Sequence, residues 1–150
     1  MAPESIIHGC AIAVGGRGLL VLGDSSAGKS SLLARMLADW PFGKVRLVAD
    51  DRVKLVRHGK QIVARPHAAI VGQFEIRGYG IMQMEPLEAV VIHGVIKIAP
   101  TPLSRLPEPD ELFTSVSGQR LPCITLSTSP DPFQRLITIW PFFSDQMAIM

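Results

Sequence analysis

Residues 23–30 read Gly23-Asp24-Ser25-Ser26-Ala27-Gly28-Lys29-Ser30 and fit the pattern G-x-x-x-x-G-K-[ST]. Each residue type answers a physical demand. Glycines let the backbone curl so that successive N–H groups converge on one anion. A helix that starts near Lys29 adds the positive end of its dipole. Lys29 supplies a point charge for terminal phosphates, and the Ser30 hydroxyl can reach Mg²⁺. The pattern follows the apolar run Leu19–Leu22 and precedes Leu32, Leu33, Met36 and Leu37 at helical spacing. All eight residues, Gly23 to Ser30, are therefore expected to line a polyphosphate cradle. Such a cradle names a ligand class, a nucleoside triphosphate or a similar polyphosphate, but no reaction. A reaction needs further groups for the metal and for the acceptor's proton.

Acidic candidates for those groups stand at two places. Asp50-Asp51 closes the apolar run Val45–Ala49, at the carboxyl end of an expected strand, where open α/β sheets place their ligands. Adjacent strand residues point to opposite faces, so only one of the two aspartates is expected to look into a site. Glu75 and Arg77 are two apart, which puts them on one face of an extended segment. The two cysteines, Cys10 and Cys123, lie far apart in apolar surroundings without metal-ligand spacing, and are expected to be buried thiols.

A sheet must hold these groups. Cys10–Val14 and Leu19–Leu22 read as a hairpin joined through Gly15-Gly16-Arg17-Gly18. A helix is expected over Lys29–Asp39, ended by Pro41, and a strand over Val45–Ala49. Val53–Val56 and Gln61–Ala64 flank His58-Gly59-Lys60, a hairpin signal. Phe74–Arg77 and Ile81–Met84 look extended on either side of Gly78-Tyr79-Gly80. Ala89–Ile98 reads as a strand with a break at His93-Gly94, and Pro100–Pro109 as a proline-dense loop. Asp110–Thr114 suggests a short helix and Cys123–Leu126 a strand, while Gln134–Trp140 fits either state. The class this predicts is α/β, strand-rich, with one helix after the cradle.

Composition sets the frame. A chain of 150 residues is one domain's worth, taken here as residues 1–150. With 47% hydrophobic and 19% charged residues it is too apolar for disorder. Fifteen Lys and Arg against thirteen Asp and Glu, all scattered, argue against a dedicated nucleic-acid binder. The longest apolar stretch, Leu87–Pro100, is interrupted by Glu88, His93, Gly94 and Lys97, short of the ~20 residues that span a bilayer. The opening Met-Ala-Pro-Glu-Ser lacks the basic region of a secretory signal, so a cytoplasmic location is expected. The surplus of apolar residues points to a well-covered sheet or a subunit interface.

Three further segments narrow the reading. Ile7-His8-Gly9, Leu47-Val48-Ala49-Asp50-Asp51 and Phe74-Glu75-Ile76-Arg77-Gly78-Tyr79-Gly80-Ile81, together with the G-D-S-S-A-G-K-S loop, resemble in order and spacing the catalytic domain of bacterial HPr kinase/phosphorylase. The segment E-I-R-G-x-G-I is far more specific than the loop. The resemblance is good over about residues 5–85 and loose beyond. His8 begins almost at the first residue, so the chain resembles the short form without the family's N-terminal domain, associated with some alphaproteobacteria.

The resemblance implies a P-loop kinase variant related to phosphoenolpyruvate carboxykinase, assembled as a hexamer. It implies ATP- and Mg²⁺-dependent phosphorylation of a serine on the phosphocarrier HPr, within phosphotransferase-system regulation, and reversal by phosphorolysis. Asp51 becomes the general base that takes the serine proton. Glu75 becomes a Mg²⁺ ligand beside Ser30. His8 binds phosphate or orients Asp51, Arg77 steadies the site or a phosphate, and Arg105, followed by Leu106, stabilises the transferring phosphoryl group.

The sequence also departs from that pattern. Ser26 stands for a usual glycine and Ser31 for a usual glutamate. Residues 126–132 lack the arginine linked to dephosphorylation and add Asp131, an acid that disfavours a phosphate acceptor, so phosphorylase activity is weakened more than kinase activity. The segment Trp140–Met150 looks unlike the family's helical end. Two other readings fit the chain: a nucleotide-binding regulatory module without transfer, and a small-molecule kinase on the same scaffold. The co-occurrence of His8, Lys29, Asp51 and Glu75 favours transfer, because a binding module needs the cradle but not the base.

Overall fold

Alternation explains the architecture. Along the chain's central strands, odd and even side chains enter different apolar clusters, so the sheet is covered on both faces. In a computed structural model of the chain, residues 4–24, 28–67, 72–76, 79–99, 108–128 and 131–149 are described. Their elements are β1 (Glu4–His8), β2 (Cys10–Val14), β3 (Arg17–Leu22), α1 (Lys29–Asp39), β4 (Val45–Ala49), β5 (Arg52–His58), β6 (Gln61–Pro66), β7 (Gln73–Ile76), β8 (Gly80–Gln83), β9 (Val90–Ala99), β10 (Phe113–Val116), β11 (Gln119–Ser127) and α2 (Pro132–Ile149). A 3₁₀ turn over Pro109–Leu112 precedes β10. Among the described residues no helix is long and apolar enough to cross a membrane.

Nine strands form one mixed sheet, along the path β1-β5-β6-β9-β3-β2-β4, with β11 joining β9 and β10 pairing with β11. Strand β9 runs parallel to both β3 and β11, and the hairpins β2–β3, β5–β6 and β10–β11 are antiparallel. Strands β7 and β8 form a separate two-stranded sheet. On one face Cys10, Ile12, Leu19 and Val21 pack with Leu32, Leu33 and Met36 of α1 and Leu136, Phe143 and Met147 of α2. On the other, Ala11, Ala13 and Leu20 pack with Val53 and Leu55 of β5, Ile62 of β6, and Leu121 and Cys123 of β11. Each fully buried Leu or Ile contributes about 1.5–3 kcal/mol relative to exposure. A double-covered sheet takes up much of the apolar surplus seen in composition.

Several expectations meet a different structure. Strand β9 does not break at His93-Gly94 but continues with a bulge: Gly18 faces Ile92 and Leu19 faces Gly94, which leaves His93 as the extra residue. Residues 4–8, not foreseen as an element, pair with β5 from Glu4↔Val56 to His8↔Arg52. The segment from Trp140 onward is helical to Ile149, through Pro141. A proline there removes one backbone hydrogen bond, but Trp140, Phe143 and Met147, spaced three and four apart, are all buried on the core side. That burial outweighs the lost bond. Trp140 also meets Trp40 edge-on, with ring centroids 4.9 Å apart.

The β3–β9 contact depends on Gly18. A Cβ at this position would lie 2.6 Å from the Val91 carbonyl oxygen and 2.8 Å from Val90 Cγ1. The carbonyl is backbone and cannot swing aside, so Gly18→Ala is expected to destabilise the fold by about 1–3 kcal/mol. Urea unfolding monitored by circular dichroism measures this. A loss below about 0.5 kcal/mol, within the ordinary scatter of surface substitutions, would show that the two strands separate at little cost.

Candidate functional site

Strand β3 delivers the chain to the cradle and α1 carries it away. Gly28 caps α1 in a left-handed conformation, φ 93° and ψ 20°, without a side-chain cap. A Cβ there would meet nothing within 4 Å, so it is the backbone angle, not crowding, that calls for glycine. The first N–H groups of a helix have no intrahelical acceptors, and no side chain caps this end of α1 among the described residues. Lys29 is 6% exposed, and its ammonium donates to the carbonyls of Gly23 at 2.6 Å and Asp24 at 2.8 Å. The lysine therefore lies along the loop that precedes it. Ser30, half-buried, follows in the first turn. Ser25, Ser26 and Ala27 lie outside the described residues.

The aspartate pair sits just beyond β4. A bulge distorts the β2–β4 pairing, where Ala11 faces Ala49 but Ile12 faces Leu47. Val48 and Ala49 consequently both enter the cluster opposite the helices, and simple alternation no longer predicts where the next side chains go. Asp50 turns inward and is 8% exposed. The Cys10 thiol donates to its Oδ1 at 3.2 Å, and the Glu75 backbone N–H donates to its Oδ2 at 3.3 Å. Burial pushes the Asp50 carboxyl up, opposed by those two hydrogen bonds. Burial likewise pushes the Cys10 thiol up to about 12, partly offset by the Asp51 backbone N–H and by the charge of Lys29. Cys10 is thus a protonated donor at neutral pH rather than a nucleophile.

Asp51 turns outward. Its backbone is left-handed, φ 74°, a conformation that aspartate tolerates better than most residues. Its carbonyl accepts from the Gly9 N–H at 2.9 Å. His8 Nδ1 lies 3.2 Å from Asp51 Oδ1, with the two side chains 51% and 62% exposed. A contact that exposed adds little to stability. The pairing follows from topology: β1 ends at His8, directly across from Arg52 at the start of β5, and Asp51 is the turn between β4 and β5.

Glu75 is exposed on β7, opposite Ile81 of β8. Asp50 links it to the aspartate turn, and the charges of Asp51 and Glu75 both act on Asp50. The structure therefore brings His8, Cys10, Lys29, Asp50, Asp51 and Glu75 into one neighbourhood. Arg77 and Arg105 lie outside the described residues. Asp131 serves a structural end instead of standing as a free acid: its Oδ1 accepts from the N–H groups of Phe133 and Gln134, capping α2, and its Oδ2 is 3.7 Å from Arg35 Nη1.

Sequence reasoning missed the part played by Cys10, which it took as an inert buried thiol. No local signal marks the residue. It meets Asp50 only because β2 lies against β4. In chemical terms the neighbourhood offers a buried cation held on loop carbonyls, a solvent-facing carboxylate beside an imidazole, and a second exposed carboxylate.

The architecture is a strand-rich, mixed α/β domain in which the cradle-and-helix unit meets the β4–β5 aspartate turn. A solved structure with this fold is the Hpr(Ser) kinase/phosphatase from Coxiella burnetii, with a TM-score of 0.78 and 19% identity, covering 96% of this chain and 99% of that one. Residues 1–99 match the family described as the HPr Serine kinase C-terminal domain. The HPr kinase/phosphorylase of Clostridium beijerinckii is 34% identical over 87 residues, 58% of this chain and 28% of that protein. That of Clostridium tetani is 36% identical over 88 residues, 58% of this chain and 27% of that protein. The chain belongs to the HPr serine kinase C-terminal domain family. The matched segment spans under a third of the length of these curated relatives.

Proposed function

We propose that this domain is an ATP- and Mg²⁺-dependent serine kinase of HPr or an HPr-like phosphocarrier protein, acting in the cytoplasm within phosphotransferase-system regulation. The observation that carries the reading is the outward-facing Asp51 carboxylate with His8 Nδ1 at 3.2 Å, in the same neighbourhood as the cradle lysine. A module that only held a nucleotide would have no use for that pair. The fold is read as a P-loop kinase variant related to phosphoenolpyruvate carboxykinase.

Asp51 takes the proton from the incoming serine hydroxyl as that oxygen bonds to the γ-phosphorus and the bond to the leaving ADP oxygen breaks. His8 holds the carboxylate in place during the approach. The loop from Gly23 to Ser30 cradles the phosphates, with Lys29 offsetting their negative charge. Ser30 and Glu75 would hold Mg²⁺; a hydroxyl and a carboxylate are hard oxygen donors of the type this ion takes. When bound, the ion neutralises charge on the phosphate oxygens. Arg77 and Arg105 are assigned to phosphate binding and to charge on the transferring group, from the family resemblance alone. Phosphorolysis would run the same steps backward, with Asp51 returning the proton to the serine oxygen.

The deciding experiment incubates the folded protein with candidate carriers, labelled ATP and Mg²⁺, then maps the modified residue by mass spectrometry. Phosphate on a single carrier serine is the expected result. Tight ATP binding with no incorporation across a range of carriers would overturn the kinase reading. The proposed hexamer has its own test in native mass spectrometry, where a monomer at micromolar concentration would overturn it.

A further inference from the structure

Asp50 is buried, bears a carboxylate, and takes no part in the chemistry proposed above. A buried carboxylate is costly unless hydrogen-bonded, and here each oxygen has a donor among the described residues. Oδ1 takes the Cys10 thiol at 3.2 Å and Oδ2 takes the Glu75 N–H at 3.3 Å. Among the described residues strand β7 pairs with β8 alone, so its other edge needs an acceptor from elsewhere. Asp50 provides it at residue 75. The same segment is anchored one residue earlier by Phe74, whose ring is 2% exposed in the helix-side core. Phe74 fixes where β7 enters the core, and Asp50 fixes the backbone from which the Glu75 side chain projects.

We propose that Asp50 is a positioning residue: its thiol-capped carboxylate holds the Glu75 backbone N–H and so sets the Glu75 carboxylate at the mouth of the cradle. The role rests on the reading of Glu75 as the carboxylate that meets the metal–phosphate group. Cys10 acts one step further back. Its S–H occupies the oxygen that Glu75 does not use, which keeps Asp50 turned toward β7. Such supporting partners typically change metal affinity by about 10–100-fold when removed.

The test uses the full chain and three variants. Asp50→Leu removes both acceptors at similar size. Asp50→Asn keeps a carbonyl oxygen for the Glu75 N–H. Cys10→Ala removes only the thiol. Hydrogen exchange followed by NMR reads the Glu75 amide directly and does not depend on activity. Exchange at Glu75 is expected to speed by about tenfold or more in Asp50→Leu, the loss of one net hydrogen bond, while amides in β2 and β3 keep their rates. Mn²⁺ titration in the presence of saturating ATP, followed by electron paramagnetic resonance, is expected to weaken by about tenfold or more in Asp50→Leu. Asp50→Asn should recover most of both losses, and Cys10→Ala should fall between Asp50→Asn and Asp50→Leu.

An unchanged Glu75 exchange rate in Asp50→Leu overturns the proposal. So does an equal loss of Mn²⁺ affinity in Asp50→Asn and Asp50→Leu, because the charge and not the hold would then matter. If Asp50→Leu does not fold, the comparison of Cys10→Ala with the unmodified chain carries the test, and equal Glu75 exchange in those two overturns the thiol-capped hold. Glu75→Gln separates the two readings: unchanged Mn²⁺ affinity there removes Glu75 as a metal carboxylate, while the exchange data still report whether Asp50 holds the strand.

Discussion

Lys29→Ala is expected to lower kcat/KM for carrier phosphorylation by about 10³-fold or more. Transfer of a phosphoryl group spreads negative charge over its oxygens, and positioned cations lower that barrier more than any other protein contribution. A loss of 10³ corresponds to about 4 kcal/mol of transition-state stabilisation. Lys29 is 6% exposed, so its charge acts through protein more than through water, where attraction is less screened. In the structure the ammonium donates to the carbonyls of Gly23 and Asp24. Alanine therefore also frees two loop carbonyls, which costs about 1 kcal/mol of local stability each. Lys29→Met keeps the packing of the stem while removing the charge and the same two donated hydrogen bonds, so it shows what the loss of side-chain bulk adds in alanine. Both variants should lose ATP binding as well as turnover, with an unfolding midpoint lower by only a few degrees, the cost of the two freed carbonyls. Turnover within tenfold of the original in Lys29→Met would remove Lys29 from the chemistry.

Asp51→Asn should behave differently, slowing kcat by about 10²–10⁴-fold while ATP binding stays within a few-fold. The magnitude is that of losing a general base. Asparagine is the informative replacement for a backbone reason. Asp51 sits at φ 74°, where asparagine is among the few side chains tolerated; alanine would add strain of about 1–2 kcal/mol and confuse a folding defect with a chemical one. The amide is the same size and can still meet His8, but it cannot accept a proton from serine at neutral pH. Steady-state rates with a carrier substrate, alongside a nucleotide titration, separate the two parameters. Near-normal turnover in Asp51→Asn would end the general-base reading. A parallel loss of ATP binding would point to a role in the cradle instead.

The contrast between Asp50 and Asp51 shows how far local reading reaches. The strand reading expects only one of the two to look into a site; in the structure Asp50 is buried and Asp51 faces solvent. That reading does not predict the partners, because Val48 is inserted into the β2–β4 ladder and Asp51 is left-handed, and neither event has a local signature. The helix after the cradle, Lys29–Asp39, is legible to the residue because a loop glycine starts it and a proline follows it. Helix α2 is less so. By sequence Gln134–Trp140 fits either state, and the core contact of Trp140, Phe143 and Met147 accompanies a helix that runs on through Pro141. His93-Gly94 looks like a break and becomes a bulge, since parallel pairing with β3 resumes on the far side.

The helix over Lys29–Asp39, the hairpins and the family are legible in contiguous residues with their own conformational preferences. Tertiary structure decided which distant groups meet. His8 reaches Asp51 because β1 adds to β5, and Cys10 reaches Asp50 because β2 lies against β4. Those meetings depend on strand register, which is set by the burial of two sheet faces at once. No window of residues contains that information, because the energy that selects the register is shared among strands far apart in the chain.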